Sequence, residues 1–399
     1  MYKIETERAD LFDVNMMIAM KVSVAGVALP QELENAFFNA VKSYQILSSK
    51  ANIDRNGDAF YEACQEHNNR IFFCDFVFEE LIKEQEKIRF RIEDGEFLRL
   101  FISIRNEKMD FCFLLHHLGG DGKSLCYFIE NFFRCLNGEA VGFQQIRLLN
   151  KDVLPDKSEL SFAAKTLTKY YNKKWKKEKR VFGFDDSENA YQLFWDNHET
   201  CTEFQSIPGE SLHQKLLECK KNGIGFTAYF IAEMLKDTST LQDIGLAVDG
   251  RLDGNRAMGN QATGISVKYK YNPCKTILEN AKIIDRIMKK KLNNPKYKYF
   301  ILHFMAAFYP TLLDAINLEY AGYFHSHTSR QVADLMGYGG KTKDLSITNL
   351  TRLDIPVQYG KYKITDFWFV PPVVSYGKNI IGMVTIGDTL NISFHRYAE

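Results

Sequence analysis

The chain has 399 residues and a formal net charge of +1, with 51 lysines and arginines against 50 aspartates and glutamates. This balance gives no global positive field, which argues against nucleic acid as the main partner. A hydrophobic content of 45% with 25% charged residues is typical of a soluble globular protein, and the length favours two domains over one.

Two further properties of the sequence bear on its compartment. No apolar run reaches membrane-spanning length, and residues 1–14 are charged and lack the apolar core of a signal peptide. The 8 cysteines form no C-x-x-C pair and mostly lie in apolar periodic segments, which indicates buried thiols and no disulfide or zinc framework. We therefore expect a cytoplasmic protein without a membrane span.

The first hundred residues predict mixed strands and helices. Residues 16–24 predict a strand, and Pro30 opens a segment whose apolar residues recur at helical spacing. The Asn-Gly pair at 56–57 predicts a hairpin turn between two short strands. Residues 97–104 alternate apolar side chains on one face, which predicts another strand.

The segment HHLGGDG at residues 116–122 lies between a strand and a helix. The apolar run 111–115 is typical of a strand buried on both faces. Apolar residues between 125 and 136 recur at i, i+3, i+4 and i+7, and Asn-Gly follows as a helix C-terminus. Two histidines and an aspartate are therefore predicted at a glycine-rich strand-to-helix turn.

The two histidines cannot have the same role if the strand continues through them. Because strand side chains alternate, His116 and His117 point to opposite faces, and only one can act in a given cavity. The other is then a buried structural group, and two structural histidines are an equally simple interpretation. Asp121 can cap the helix, whose N-terminus carries partial positive charge.

A strongly basic run follows. Residues 165–180 contain eight lysines and arginines against one acid, Glu178, and acidic residues follow at 185–188. This run predicts either a solvated helix or linker, or a docking surface for an acidic carrier protein or for the phosphates of coenzyme A. We place a basic linker at 165–190, between halves at 1–170 and 190–399.

The second half predicts helices and strands in alternation. Strands are predicted at 202–207, 244–248, 345–350, 380–386 and 390–395, and helices at 211–219, 227–235, 276–292 and 298–316. His325 and His327 have a spacing that could chelate a metal, but acidic and cysteine companions are missing nearby, so we expect no metal site. The aromatic run at 366–369 is interpreted as structural packing between the halves.

The HHLGGDG segment resembles the HHxxxDG signature of the condensation-domain and chloramphenicol-acetyltransferase-like superfamily, with all fixed positions present: His116, His117, Asp121 and Gly122. Asp249-Gly250-Arg251 followed by Gly259-Asn260 is similar to the family's paired D-x-R and G-N segments. Residues 345–350 resemble an S-N-x-G-like strand without its glycine, and residues 366–369 lack both glycines of DFGWG.

The resemblance implies an α/β fold with two chloramphenicol-acetyltransferase-like subdomains, mixed sheets, flanking helices and an active-site tunnel between them. It implies His117 as general base and His116 as its support. Arg251 would be a strut that holds Asp121, although an arginine beside a surface turn is also compatible with the sequence. The Gly122 N–H, together with Thr348 or Asn349, could stabilise an oxyanion.

Three functions remain open. The first is transfer of an acyl group from acyl-CoA or an acyl carrier protein to a small-molecule hydroxyl or amine, with the thioester as co-substrate and no permanently bound cofactor. The second is a stand-alone condensation enzyme that forms amides from carrier-bound partners. The third is a binding or scaffold domain that kept the fold and lost activity.

Overall fold

The computed structural model describes residues 1–178, 180–341 and 343–398, and their strands form two six-stranded sheets and one three-stranded sheet. The strands are β1 (Tyr2–Lys3), β2 (Met17–Ala25), β3 (Ser49–Ile53), β4 (Ala59–Ala63), β5 (Arg70–Phe73), β6 (Leu98–Arg105), β7 (Lys108–His116), β8 (Thr200–Ile207), β9 (Leu241–Asp249), β10 (Ala262–Lys270), β11 (Leu345–Arg352), β12 (Gln358–Tyr359), β13 (Tyr362–Val370), β14 (Asn379–Ile386) and β15 (Thr389–Tyr397). The helices are α1 (Pro30–Lys42), α2 (Phe78–Gln85), α3 (Gly122–Leu136), α4 (Phe162–Trp175), α5 (Phe184–Trp195), α6 (Gly209–Asn222), α7 (Phe226–Leu235), α8 (Ile277–Leu292), α9 (Pro295–Lys298), α10 (Phe300–Ala306), α11 (Pro310–Tyr320) and α12 (His327–Met336).

The first large sheet has the order β12-β13-β2-β7-β6-β5, and β7 lies inside it between β2 and β6. Both neighbours run antiparallel to β7, with His116 opposite Met17 and Leu115 opposite Leu98. The apolar run of β7 is buried on both faces, as predicted. The HHLGGDG segment therefore begins at the last residue of a fully packed strand.

The second large sheet has the order β10-β9-β11-β14-β15-β8. Its central pairs β9–β11 and β11–β14 are parallel, and the final hairpin β14–β15 is antiparallel. The strands predicted at 380–386 and 390–395 are confirmed, and they form this hairpin. A separate apolar core covers this sheet with α6, α7 and α8.

The two large sheets do not correspond strictly to the two halves of the chain. β12 and β13 belong to the second half but form one edge of the first sheet. Side chains of β15 tie the sheets together: the Asn391 amide donates to the Phe367 carbonyl at 2.9 Å and the Ser393 hydroxyl donates to the Phe369 carbonyl at 2.7 Å. The ring of Trp368 meets that of Phe204 edge-on at 5.1 Å, so aromatic packing at 366–369 joins the two sheets. The division at 165–190 stays a prediction, and that stretch contains the end of α4 and the start of α5.

The prediction of one continuous helix at 298–316 is wrong. The structure has the short helices α9 and α10 and then α11, which begins at Pro310. Proline lacks an N–H and pushes the preceding residue to extended geometry, and Tyr309 has φ −60° and ψ 134°. Within the described residues, no single helix is long and apolar enough to cross a membrane; α10 and α11 together pass that test but meet at a bend of 101°.

The charged N-terminal segment, residues 6–15, is buried between elements of both halves. Arg8 forms a bidentate ion pair with Asp314 of α11, and both side chains are at most 1% exposed. The Trp195 indole donates to the Val14 carbonyl at 2.8 Å, and the Asn317 amide donates to the Ala9 carbonyl at 2.6 Å. These contacts hold the segment in place directly before Met16, whose carbonyl accepts a hydrogen bond from the His117 N–H.

Candidate active site

The turn between β7 and α3 is tight and depends on glycine. The Gly119 N–H donates to the His116 carbonyl at 2.7 Å, and the Gly120 N–H donates to the His117 carbonyl at 3.2 Å. A Cβ atom added at Gly120 would lie 2.6 Å from the Cβ of Ser124, a distance that real side chains do not tolerate. Any larger residue at 120 would therefore push the turn away from the first turn of α3.

The side chain of His116 is buried. The backbone N–H of His116 donates to the Phe97 carbonyl, whereas the N–H of His117 donates to the Met16 carbonyl on the other side. Since neighbouring N–H groups and side chains alternate in extended backbone, the two imidazoles leave opposite faces. The His116 Nδ1 accepts a hydrogen bond from the Leu118 N–H at 3.2 Å, and burial, aided by nearby positive charges, lowers its pKa to about 3.

His117 has a different environment, because its side chain is partly exposed. Its Nδ1 atom is buried and has no hydrogen-bond partner among the described residues. Asp10, at the end of the short 3-10 helix Arg8–Asp10, is near enough to interact with it electrostatically. Burial raises the pKa of Asp10, while the charge of His117 and a 2.7 Å hydrogen bond from the Asn260 amide act in the opposite direction.

Asp121 caps α3 and pairs with Arg251, 130 residues away. The Nη1 and Nη2 atoms of Arg251 each lie 2.9 Å from one carboxylate oxygen, and the N–H groups of Ser124 and Gln261 donate to the same oxygens at 2.8 and 3.0 Å. Both charged side chains are buried. Burial alone would raise the pKa of Asp121, but the charge and hydrogen bonds of Arg251 outweigh it and lower the pKa below its ordinary value.

Ser124 is a connecting residue that the sequence reasoning missed. Its hydroxyl, fully buried, accepts from Arg251 Nη2 at 2.8 Å and donates to the Gly259 carbonyl at 2.9 Å. Gly259 has φ +143°, a conformation that favours glycine. A small hydroxyl residue three positions after a capping aspartate, within an apolar helix, is the signal that could have found it. Asp121, Ser124 and Arg251 together hold the motif turn against the loop that ends at Gln261.

The structure places Thr348 and Asn349, the two candidate oxyanion donors, on opposite faces of β11. The Asn349 amide donates to the Thr227 hydroxyl of α7 at 3.1 Å, and its carbonyl oxygen accepts from the Thr351 N–H at 2.7 Å. Thr348 lies on the opposite face of the strand, as does Leu350. A Cβ added at Gly122 would meet Leu350 Cδ2 at 3.0 Å, so this face of β11 lies against the start of α3.

Comparisons with known proteins come from structure alone, since no protein-family model and no curated protein sequence matches the chain. The first condensation domain of the CDA synthetase matches with a TM-score of 0.64 and 12% identity, over 98% of this chain and 87% of that one. The trichothecene 15-O-acetyltransferase from Fusarium sporotrichioides matches with a TM-score of 0.63 and 12% identity, over 98% and 89%. A variant of the starter condensation domain of rhizomide synthetase, solved with C8-CoA, matches with a TM-score of 0.62 and 10% identity, over 99% and 89%.

The chain has the fold of condensation domains and related acyltransferases. This confirms the predicted α/β fold class, while the tunnel stays a prediction. In this condensation-domain fold, the turn that carries His117 joins a central strand of one sheet to α3, and the loop from the second sheet reaches it through Arg251.

The histidine pair at 325 and 327 lies away from this arrangement. His325 Nδ1 lies 3.3 Å from a Glu319 oxygen, and His327 is exposed at the start of α12. In the part of the chain that the structure describes, no group of three or more histidine, cysteine or acidic side chains is placed to hold a metal ion.

Proposed function

We propose that the protein is an acyltransferase that moves an acyl group from a thioester to a hydroxyl or amine acceptor. The observation that carries this proposal is the geometry of His117, which is partly exposed at the end of a packed strand, on a turn held by the Asp121–Arg251 pair. The same fold occurs in an acetyltransferase and in a condensation domain solved with an acyl-CoA.

The proposed reaction uses His117 as general base. Its Nδ1 is buried, so Nε2 takes the proton as the acceptor oxygen or nitrogen attacks the thioester carbonyl. Imidazole is the side chain that most often serves as general base at neutral pH. When the tetrahedral intermediate collapses, the carbon–sulfur bond breaks and the proton passes to the leaving thiolate. His116 supports the strand end, and Asp121 is structural.

The oxyanion of that intermediate needs hydrogen-bond donors. Gly122 is the first residue of α3, so its N–H has no acceptor within the helix and is available to a developing negative charge. Thr348 is the better second donor of the two residues considered, because it lies on the face of β11 that meets α3, whereas the amide of Asn349 already donates to Thr227.

The proposal extends to the co-substrates. An acyl-CoA or an acyl carrier protein would deliver the thioester through a tunnel between the subdomains, and no cofactor would stay bound between turnovers. The solved neighbour with C8-CoA supports a coenzyme A donor. The acceptor is a small molecule with a free hydroxyl or amine.

Product formation from a panel of acyl-CoA donors and mixed alcohol or amine acceptors, followed by mass spectrometry, tests the proposal. With the pair that reacts, His117→Ala should lower the rate by roughly 100-fold or more, as removal of a general base does. His327→Ala, on an exposed histidine, is the matched control and should leave the rate unchanged. A folded His117→Ala protein with the normal rate would refute His117 as the base.

The condensation reaction is the second candidate, because a condensation domain gives a TM-score of 0.64 over nearly the whole chain. The same assay separates the two: this candidate requires carrier proteins charged through phosphopantetheine and forms an amide. If neither free acyl-CoA nor charged carriers give product, the scaffold interpretation remains.

A further inference from the structure

The exposed side of α4 combines unpaired lysines with solvent-exposed aromatic rings. Residues of an α-helix follow one another at about 100°, so Thr168 and Trp175, which are buried, lie on one side and Phe162, Lys169 and Lys173 on the other. The inner side is anchored: the Trp175 indole donates to the Thr311 hydroxyl at 2.9 Å. The outer side faces solvent, and its Lys165 forms a surface ion pair with Glu159, just before the helix.

The other lysines on that side form an uncompensated charge. Lys169 and Lys173 of α4, with Lys176 and Lys177 just beyond it, are exposed, and none of the four pairs with a carboxylate in the described residues. Because the whole chain has a net charge of only +1, this is a local concentration of positive charge. We call the exposed side of residues 162–177 the α4 basic face.

Two aromatic rings are exposed on the same face. Phe162, the first residue of α4, is 86% exposed, and Tyr170, two turns later, is 52% exposed. Phe162 is therefore a large apolar ring that lies almost entirely in solvent beside the lysines. Aromatic rings and lysines together are typical of a surface that enters the headgroup layer of a membrane.

We propose that the α4 basic face binds an anionic lipid surface, with lysines at the headgroups and Phe162 inserted between them. Lysine is depleted from the cores of protein–protein interfaces, where its charge must be desolvated, but it keeps its hydration at a lipid surface. A small phosphate ligand such as coenzyme A would need a concave site, whereas these side chains project from the outside of a helix. This inference does not rest on the proposed function.

Co-sedimentation of the full chain with phospholipid vesicles tests the proposal. The two vesicle types are phosphatidylcholine alone and phosphatidylcholine with about 30% phosphatidylglycerol, at about 0.1 M and about 0.5 M salt. We expect binding to the anionic vesicles at low salt, strong weakening at high salt, and little binding to phosphatidylcholine alone. No sedimentation with anionic vesicles at low salt would overturn the proposal and leave an acidic protein partner or a solvated helix as the alternatives.

Variants locate the binding surface. Lys169→Glu with Lys173→Glu should weaken binding to anionic vesicles by roughly tenfold or more. The matched control is Lys220→Glu with Lys221→Glu, which makes the same charge change at two exposed lysines in the last turn of α6 and should leave most of the binding. Equal losses in the two double variants would show a net-charge effect and would refute the α4 basic face. Phe162→Ser should cause a smaller loss that salt does not change.

Discussion

Two buried carboxylates close to the candidate site differ in one respect that decides their charge. Asp121 accepts four hydrogen bonds, from Arg251, Ser124 and Gln261. Asp13, in the N-terminal segment, accepts three, from the N–H and hydroxyl of Ser375 and the N–H of Asn15. Burial is nearly the same for both, but among the described residues only Asp121 has an ion-pair partner.

The pKa values diverge accordingly. The charge of Arg251 overcomes the effect of burial and keeps the pKa of Asp121 below its ordinary value. Burial raises the pKa of Asp13 to about 7 despite its hydrogen bonds, and raises that of Glu7 to about 7 as well. The comparison shows that a counter-charge outweighs the number of hydrogen bonds here. Arg251 therefore favours the ionised form of Asp121, whereas burial favours the protonated forms of Asp13 and Glu7.

Arg251→Met should have the largest effect, because it leaves the buried Asp121 carboxyl without its cation. We expect a loss of about 3–5 kcal/mol in the free energy of unfolding, measured by urea denaturation at pH 8. Arg256→Met, which breaks the half-exposed pair with Glu130, should cost about 1 kcal/mol or less. Adding Asp121→Asn to Arg251→Met should recover part of the loss, since the unpaired charge is then removed. Similar losses for the two single variants would contradict the comparison.

Glu7→Gln tests a buried carboxyl whose pKa is raised, in contrast to that of Asp121. The Oε2 of Glu7 accepts from the Thr6 hydroxyl, and its Oε1 has no hydrogen-bond partner among the described residues, so glutamine can replace it with little change in contacts. The folded-state pKa of about 7 lies above the unfolded value of 4.5, so the folded protein binds more protons in between and loses stability as the pH rises through this window. Glu7→Gln has no ionisable group at this position, so it should not lose this part of its stability as the pH rises.

Urea denaturation of both proteins at several pH values measures the difference. The free energy of unfolding of Glu7→Gln should rise relative to that of the native chain by on the order of 2–3 kcal/mol between pH 4.5 and pH 8. Glu210→Gln, at an exposed carboxyl in the first turn of α6, should show no such trend. A pH-independent difference for Glu7→Gln would mean that this carboxyl is ionised in the fold.

The sequence predicted the motif region well because its signals are local. The apolar run of β7, the stripe of α3 and the capping aspartate all lie within about 30 residues, and periodicity reads such segments directly. Arg251 came from a family resemblance, since nothing in local periodicity links it to a residue 130 positions earlier. The break at Pro310 was a local signal that the apolar pattern around it masked.

Other features depended on contacts that no local pattern contains. Three charged residues of the segment 6–15 are partnered by the second half of the chain: Arg8 by Asp314, Asp10 by Asn260 and Asp13 by Ser375. Asn349 looked equivalent to Thr348 because only the position of Thr227 in α7 shows which side chain is already engaged. Burial of a polar residue is set by its distant partners, so these features need the assembled fold.

The hydrogen bond between Asn260 and Asp10 connects the two regions compared above, and breaking it should have the smallest effect. Asn260 lies between Gly259, which bonds Ser124, and Gln261, which bonds Asp121, so it links the held motif turn to the N-terminal carboxyl that interacts electrostatically with His117. A double-mutant cycle with Asn260→Ala and Asp10→Ala should give a coupling of about 1 kcal/mol in the free energy of unfolding.

The control cycle pairs Asn260→Ala with Asp13→Ala, which share no hydrogen bond, and should give roughly 0.3 kcal/mol or less. Equal coupling in both cycles would mean that the N-terminal segment and the motif turn respond as one unit, and that the contrast between Asp121 and Asp13 is not a property of two separate regions.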